Sequence, residues 1–268
     1  MVEMFSQELE DEGRQSSKGN QLKWHSNGLW YKADYTGYEG LSEYMVSHLL
    51  AFSSLAQEEY VVYDLEEIKY KTQTYSGCKS KDFSNGCGVT TLERLFKNLY
   101  SVGLNKWIYS IQDHKERLKY IVDQVERITQ IPEFGKYMVK LLTIDALFLN
   151  EDRHTHNISV LMKDNMKLEL CPIYDNGASL LSDTSMDYPL GQDIYQLMSQ
   201  AKSKTFCDNF EEQLDIAEEL YGEQIHFHFD YNEVHELLES AEIYDLEIRK
   251  RVEAIIMEQR RKYSYLFK

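Results

Sequence analysis

The 268-residue chain lacks any apolar stretch of the roughly 18 residues that a membrane-spanning helix needs. Its opening, MVEMFSQELEDEG, is acidic and has no basic segment followed by an apolar run, so it does not read as a secretory signal. Cysteine is sparse. Cys78, Cys87, Cys171 and Cys207 include no C-x-x-C pair and are too few for a disulfide framework, so they read as reduced thiols of a cytoplasmic protein. Positive charge is also short: 29 Lys and Arg stand against 45 Asp and Glu, a formal net charge of -16. Such a surface repels phosphate backbones, so direct nucleic-acid binding is not expected, although a local basic pocket for a small phosphate ligand remains compatible. No internal repeat or low-complexity tract is evident. A hydrophobic content of 43% with 28% charged residues implies a packed core. The length suits one large domain or one domain of two lobes.

Ser26-Asn27-Gly28 marks a turn between two aromatic and apolar runs, which predicts a β-hairpin. Leu41, Tyr44, Met45, His48, Leu49 and Phe52 recur at helical spacing, and EEYVVYDLEEIKY reads as a strand. Residues 71 to 88, with Gly77, Gly86 and Gly88, are expected to form a loop or irregular hairpin. From Thr90 the text turns helical. Leu92, Leu95, Phe96 and Leu99 form one stripe, 105 to 129 a second helical region, and a third starts near Pro132. ISVLMKDNMKLELCPIYD reads as a hairpin around Asp164-Asn165, and a long helix is expected near 244 to 265. HFHFD, with His226 and His228, alternates as a half-buried strand does. The expected class is α+β, with a small β-rich N-lobe at 1–88 and a larger, mainly helical C-lobe at 89–268.

One octet, NEDRHTHN at 150–157, is too polar for a core and follows a strongly apolar helix. Asp152 and Asn157 are five apart, the separation that protein kinases use in their catalytic loop, where the Asp receives the substrate hydroxyl proton and the Asn binds magnesium. Asp175-Asn176-Gly177 has the form D-x-G after a hairpin, as the magnesium-binding D-F-G does. Carboxylate and amide oxygens are the hard ligands that Mg²⁺ favours. A kinase also needs a strand lysine for the phosphates and a helix acid to hold it. Lys32, in LWYKAD, and Glu43 on the following helix fit, with Glu39 a rival acid. The order Lys32, Glu43, Asp152, Asn157, Asp175 is the order that this chemistry requires.

The arrangement N-x-D-R-H-x-x-N (Asn150 to Asn157) followed by P-x-Y-D (Pro172 to Asp175) resembles HipA-type bacterial serine/threonine kinases, whose fold is similar to protein kinases and phosphatidylinositol kinases. A segment of the form S-x-x-G-x-Q-x-K, here Ser16 to Lys23, precedes the lysine strand as in that family. The resemblance is to a compact form without the extra N-terminal subdomain of longer members. It implies a two-lobed, protein-kinase-like fold and an ATP- and Mg²⁺-dependent transfer of the γ-phosphoryl group to a protein Ser or Thr hydroxyl. By position it makes Asp152 the catalytic base, with Arg153 and His154 bracing the loop or the substrate. Asn157 and Asp175 become the magnesium ligands and Lys32 the phosphate contact, held by an acid such as Glu43. Gly19, Asn20 and Gln21 would cover the phosphates with backbone N–H groups. Ser16, with Ser17 beside it, matches a loop serine whose autophosphorylation inhibits the enzyme. A protein substrate and an antitoxin or regulatory partner follow from the same likeness. Glu151 departs from it, standing where the family more often has a small or polar residue.

Other readings stay open from the residues alone. Asp152, His154 and His156 offer transition-metal ligand types, without an evident fourth. A pseudokinase or binding module would keep the nucleotide site without transfer, and a small-molecule or lipid kinase would use the same fold.

Overall fold

The computed structural model describes residues 1–9, 21–164 and 166–268, and the described chain groups into two compact units. The first comprises Met1–Phe83, Tyr174–Ala201 and His226–Lys268, and the second Ser84–Ile173 and Lys202–Ile225. Against a single boundary expected after residue 88, the chain crosses between units four times. The reason is visible in the buried polar contacts of the first unit. Tyr38 Oη donates to Leu180 O at 2.7 Å, Ser42 Oγ to Ser179 O at 3.0 Å, and Arg251 Nη2 to Tyr188 O at 2.9 Å. Segments distant in sequence are thereby tied to the N-terminal elements.

The first unit is built on a five-stranded sheet of order β1-β4-β5-β3-β2. Its strands are β1 (Val2–Met4), β2 (Lys23–Ser26), β3 (Leu29–Ala33), β4 (Tyr63–Tyr70) and β5 (Gln73–Lys81). β1 runs parallel to β4, and the other pairs are antiparallel. The Asn27-Gly28 turn closes β2 on β3 with both residues at positive φ, 53° and 74°, as a tight two-residue hairpin requires. Residues 71 to 88 are a correction: they hold β5, nine residues long and paired on both sides. Its turn from β4 uses Lys71 at φ 55°, which carries no Asn-Gly signature. Side chains alternate across the sheet. Met4, Trp24, Tyr31, Ala33, Ile68 and Tyr70 form one core cluster, and Val61, Tyr63 and Cys78 another.

Helix α1 (Glu39–Leu49) packs on β4 and β5, burying Leu41, Met45, Val46 and Leu49 along with Glu43. The approach is closest at Gly40, where a Cβ would lie 2.6 Å from the backbone carbonyl carbon of Gly77. Only glycine fits at 40, and at 77 a Cβ would lie 2.1 Å from the backbone oxygen of Lys32 on β3, which accounts for a glycine in mid-strand. Helices α6 (Ile194–Gln200), α8 (Tyr231–Glu239) and α9 (Leu246–Lys262) complete this unit. Phe227 and Phe229 are buried while His226 is half-buried and His228 exposed, so HFHFD alternates as expected but forms isolated bridges at Phe227 rather than a strand.

The second unit holds the sheet β6-β7-β8, with β6 (Gly88–Thr91), β7 (Ser159–Met162) and β8 (Leu168–Leu170). Its helices are α2 (Leu92–Tyr100), α3 (Leu104–Ile108), α4 (His114–Thr129), α5 (Phe134–Phe148) and α7 (Phe210–Tyr221). The expected helical region at 105–129 is two helices, because Asp113 caps α4 by accepting from Glu116 N at 2.9 Å. The α2 stripe is buried at Leu92 and Phe96, but Leu99 is exposed. α5 is apolar on nearly all sides and buries 13 of its 15 residues, so it delivers the chain rigidly to the octet. Among the described residues no helix is long and apolar enough to cross a membrane.

Candidate active site

In the first unit, β3 and α1 bring Lys32 and Glu43 together. Lys32 Nζ lies 2.5 Å from Glu43 Oε1 and 2.8 Å from Asp175 Oδ1. The second oxygen of Glu43 accepts from the backbone N–H of Asn176 at 2.8 Å. Glu43, itself 1% exposed, therefore fixes both the lysine and the D-N-G segment. Glu39 is committed elsewhere. It accepts from the N–H groups of Tyr35, Thr36 and Gly37 and from the Thr36 hydroxyl. The choice of acid is thus settled as Glu43.

Burial by itself would lower the Lys32 pKa, but the Asp175 and Glu43 carboxylates outweigh it and hold the ammonium charged, well above its ordinary value. The Tyr63 ring adds a cation–π contact, with Nζ 5.0 Å from its centroid. Asp175 adopts φ 62°, a left-handed conformation that Asp tolerates better than most residues and that occurs often at functional sites.

In the second unit, the octet is a network of its own. Arg153 is 1% exposed, and its Nε lies 3.2 Å from both oxygens of Asp145, which is equally buried. Arg153 Nη1 donates to Asn157 O at 3.3 Å, and Asn150 Nδ2 donates to Asp145 at 2.9 Å. Burial pushes the Asp145 carboxyl up to about 6 despite the opposing guanidinium. Thr205 Oγ1 donates to Arg153 O at 2.7 Å, and Glu151 accepts from Lys202 N at 3.0 Å. Arg153 therefore braces the loop from beneath, one of the two roles expected for it.

Asn157 Nδ2 donates to Asp152 O at 2.8 Å and to Asp152 Oδ2 at 3.2 Å, so its amide oxygen is the atom left to act as a ligand. His154 Nε2 stands 3.7 Å from Asp152 Oδ1. Burial lowers the His154 pKa, with His156 and Lys204 adding to that and Asp152 opposing it. The His154 and His156 rings meet edge to face, with centroids 5.3 Å apart.

No protein-family model and no characterised protein matches the chain by sequence. Its fold is similar to a solved one. The crystal structure of a Helicobacter pylori proinflammatory kinase, CtkA, matches with a TM-score of 0.58 at 16% sequence identity, covering 97% of this chain and 94% of that one. The chain has a protein-kinase-like α+β fold, with a β-rich N-lobe and a mainly helical C-lobe.

In the first unit the Asp175 carboxylate is a hard-oxygen ligand type, and a lysine kept charged beside it suits phosphate oxygens. In the second unit Asn157 offers an amide oxygen. Of the residues expected to cover the phosphates, Gln21 is half-buried next to β2. Gly19 and Asn20 lie outside the described residues, as do Ser16 and Ser17. Sequence reasoning missed Asp145, Thr205 and the carboxylate of Glu93, which accepts from Thr155 Oγ1 and Asn105 N, both at 2.9 Å. Asp145 left one signal: it is the only charged residue in LLTIDALFLN, and a charge on a buried helix demands a partner.

Proposed function

We propose that the protein is an ATP- and Mg²⁺-dependent kinase that transfers the γ-phosphoryl group to a Ser or Thr hydroxyl of a protein. The observation that carries the reading is the buried Lys32 ammonium held between Glu43 and Asp175, within a kinase-like fold. In this reading Lys32 contacts the nucleotide phosphates and Glu43 orients it. Asp152 accepts the acceptor hydroxyl proton, while Asn157 keeps the Asp152 carboxylate turned and offers its own oxygen to the metal with Asp175. The metal, when bound, neutralises charge on the phosphate oxygens. The protein's work is then positioning and charge compensation.

The HipA-like part of the proposal adds inhibition by autophosphorylation at Ser16 or Ser17, a cytoplasmic setting, and an antitoxin or regulatory protein as partner. It rests on the octet and on Ser16 to Lys23. Binding of a fluorescent ATP analogue, with and without magnesium, tests the nucleotide site. Wild-type protein is expected to bind more tightly with magnesium, Asp175→Ala to lose that gain, and Lys32→Met to bind weakly in both conditions. Equal affinities for all three proteins would refute the site.

A further inference from the structure

Away from the Lys32 and Asp152 groups, the second unit brings an imidazole, a thiol and a carboxylate together. The geometry points to a transition-metal site, best matched to zinc, formed by His114, Cys207 and Glu212. Their donor atoms all lie within 4.8 Å of one another, and His114 Nδ1 is 2.5 Å from Glu212 Oε1. Three separate pieces of chain supply them: the first residue of α4, the link before α7, and the first turn of α7.

That placement is fixed by backbone contacts. Asn209 caps α7 by accepting from Glu212 N at 2.8 Å, Asp113 caps α4, and Gln213 Oε1 accepts from Phe206 N at 3.0 Å. Cys207 Sγ sits 3.4 Å from Asn209 O. The side chains of His114 and Glu212 are partly exposed and free to adjust. Zinc bonds of about 2.0 Å to N or O and about 2.3 Å to S set tetrahedral donors roughly 3.3–3.6 Å apart. The present set brackets that spacing, so closure needs only side-chain rotation.

The ligand types decide the metal. One thiolate with one imidazole suits zinc, and does not suit the magnesium proposed at the oxygen ligands of the kinase site. Burial pushes the Cys207 thiol up to about 11, with Glu212 and Asp208 adding to that, so the thiolate forms only as the metal binds. Asp208, now paired with Lys202 at 3.2 Å, or a water completes the fourth position. A cavity of about 330 Å³ lined by Tyr109, His114, Cys207 and Asp208, and also by Arg117, Lys202 and Lys204, leaves room for either. Arg117 is turned to the Tyr109 ring and to the carbonyl oxygens of Ile111 and Phe206. As the sulfur–metal bond forms, the Cys207 S–H proton passes to solvent. The clamp would join the starts of α4 and α7, with Thr205 and its bond to Arg153 just upstream.

The test is a titration of chelator-stripped, full-length protein with Co²⁺ and then Zn²⁺. The expected result is one Co²⁺ per chain with a thiolate-to-cobalt charge-transfer band in the near ultraviolet, bleached by Zn²⁺ and absent in Cys207→Ser. Loss of a direct ligand in Glu212→Gln or His114→Gln should weaken binding by about a hundredfold or more, beyond what outer-shell changes cost. Glu212 is on the surface, so that variant keeps its fold, checked by circular dichroism. No thiolate band in the wild type, a band retained in Cys207→Ser, or unchanged affinity in folded Glu212→Gln would overturn the proposal. Cobalt binding without a thiolate band would place the ion on oxygen ligands elsewhere and count equally against it.

Discussion

Replacing Arg153 with methionine isolates the ion pair beneath the octet. Arg153 and Asp145 are each 1% exposed, so the change leaves a carboxylate shielded from solvent with Asn150 Nδ2 still donating to it. Breaking a buried pair from one side costs about 3–5 kcal/mol. Protonation of Asp145 sets a ceiling on that cost. Bringing an aspartate of ordinary pKa, about 3.9, to its neutral form takes about 4 kcal/mol at pH 7 and about 1.5 kcal/mol at pH 5. Burial already holds Asp145 up at about 6 with Arg153 present, and removal of the guanidinium pushes it further up. A carboxyl raised by folding weighs against the fold most fully above its folded pKa, and the penalty fades as pH falls toward the unfolded value. The variant's deficit should therefore shrink between pH 7 and pH 5. In thermal unfolding at pH 7 it corresponds to a Tm lower by on the order of 8 °C. Adding Asp145→Asn should recover most of it, since both charges are then gone. A deficit below about 1 kcal/mol at pH 7, or one equal at pH 5 and pH 7, would refute the reasoning.

Other outcomes follow from the same contacts. Lys32→Met leaves Glu43 buried beside Asp175 without its cation, so it should lower the Tm by several degrees as well as abolish nucleotide binding, whereas Glu39→Gln should leave nucleotide binding near wild type. Gly40→Ala drives a Cβ to 2.6 Å from the Gly77 backbone and should destabilise by more than about 2 kcal/mol, measured by denaturant unfolding. Thr205→Val removes the hydrogen bond to Arg153 O and should cost about 0.5–1.5 kcal/mol, read by denaturant unfolding, with phosphate transfer reduced if the octet loosens.

The parts of the fold legible in the sequence are those governed by local chemistry. Asn27-Gly28 dictated a hairpin because few other pairs tolerate two positive φ values, and the apolar run ending at Leu149 dictated a buried helix. β5 was hidden because Lys71-Thr72 makes a tight turn without a signature, and because Gly77 looks like a loop residue until the Lys32 backbone is seen against it. Lys32 and Glu43 were legible as a set through their order, but the choice between Glu43 and Glu39 was not. Helical phase allowed both, and only the N–H groups of residues 35–37 take Glu39 away. Asp145 lay five residues before the octet, and its role depends on a partner that only tertiary packing supplies. The grouping of residues 174–201 and 226–268 with the first sheet depends on long-range contacts such as Arg251 to Tyr188, which no local pattern encodes.

Incubation of the full chain with γ-labelled ATP and magnesium, beside Asp152→Asn, tests the central claim most directly. The account predicts transfer of label to protein hydroxyls by the wild type, with Ser16 and Ser17 the first positions to map, and its loss in a normally folded Asp152→Asn. Label transferred equally by both proteins, or none transferred by a wild type supplied with ATP, magnesium and acceptor proteins, would contradict it.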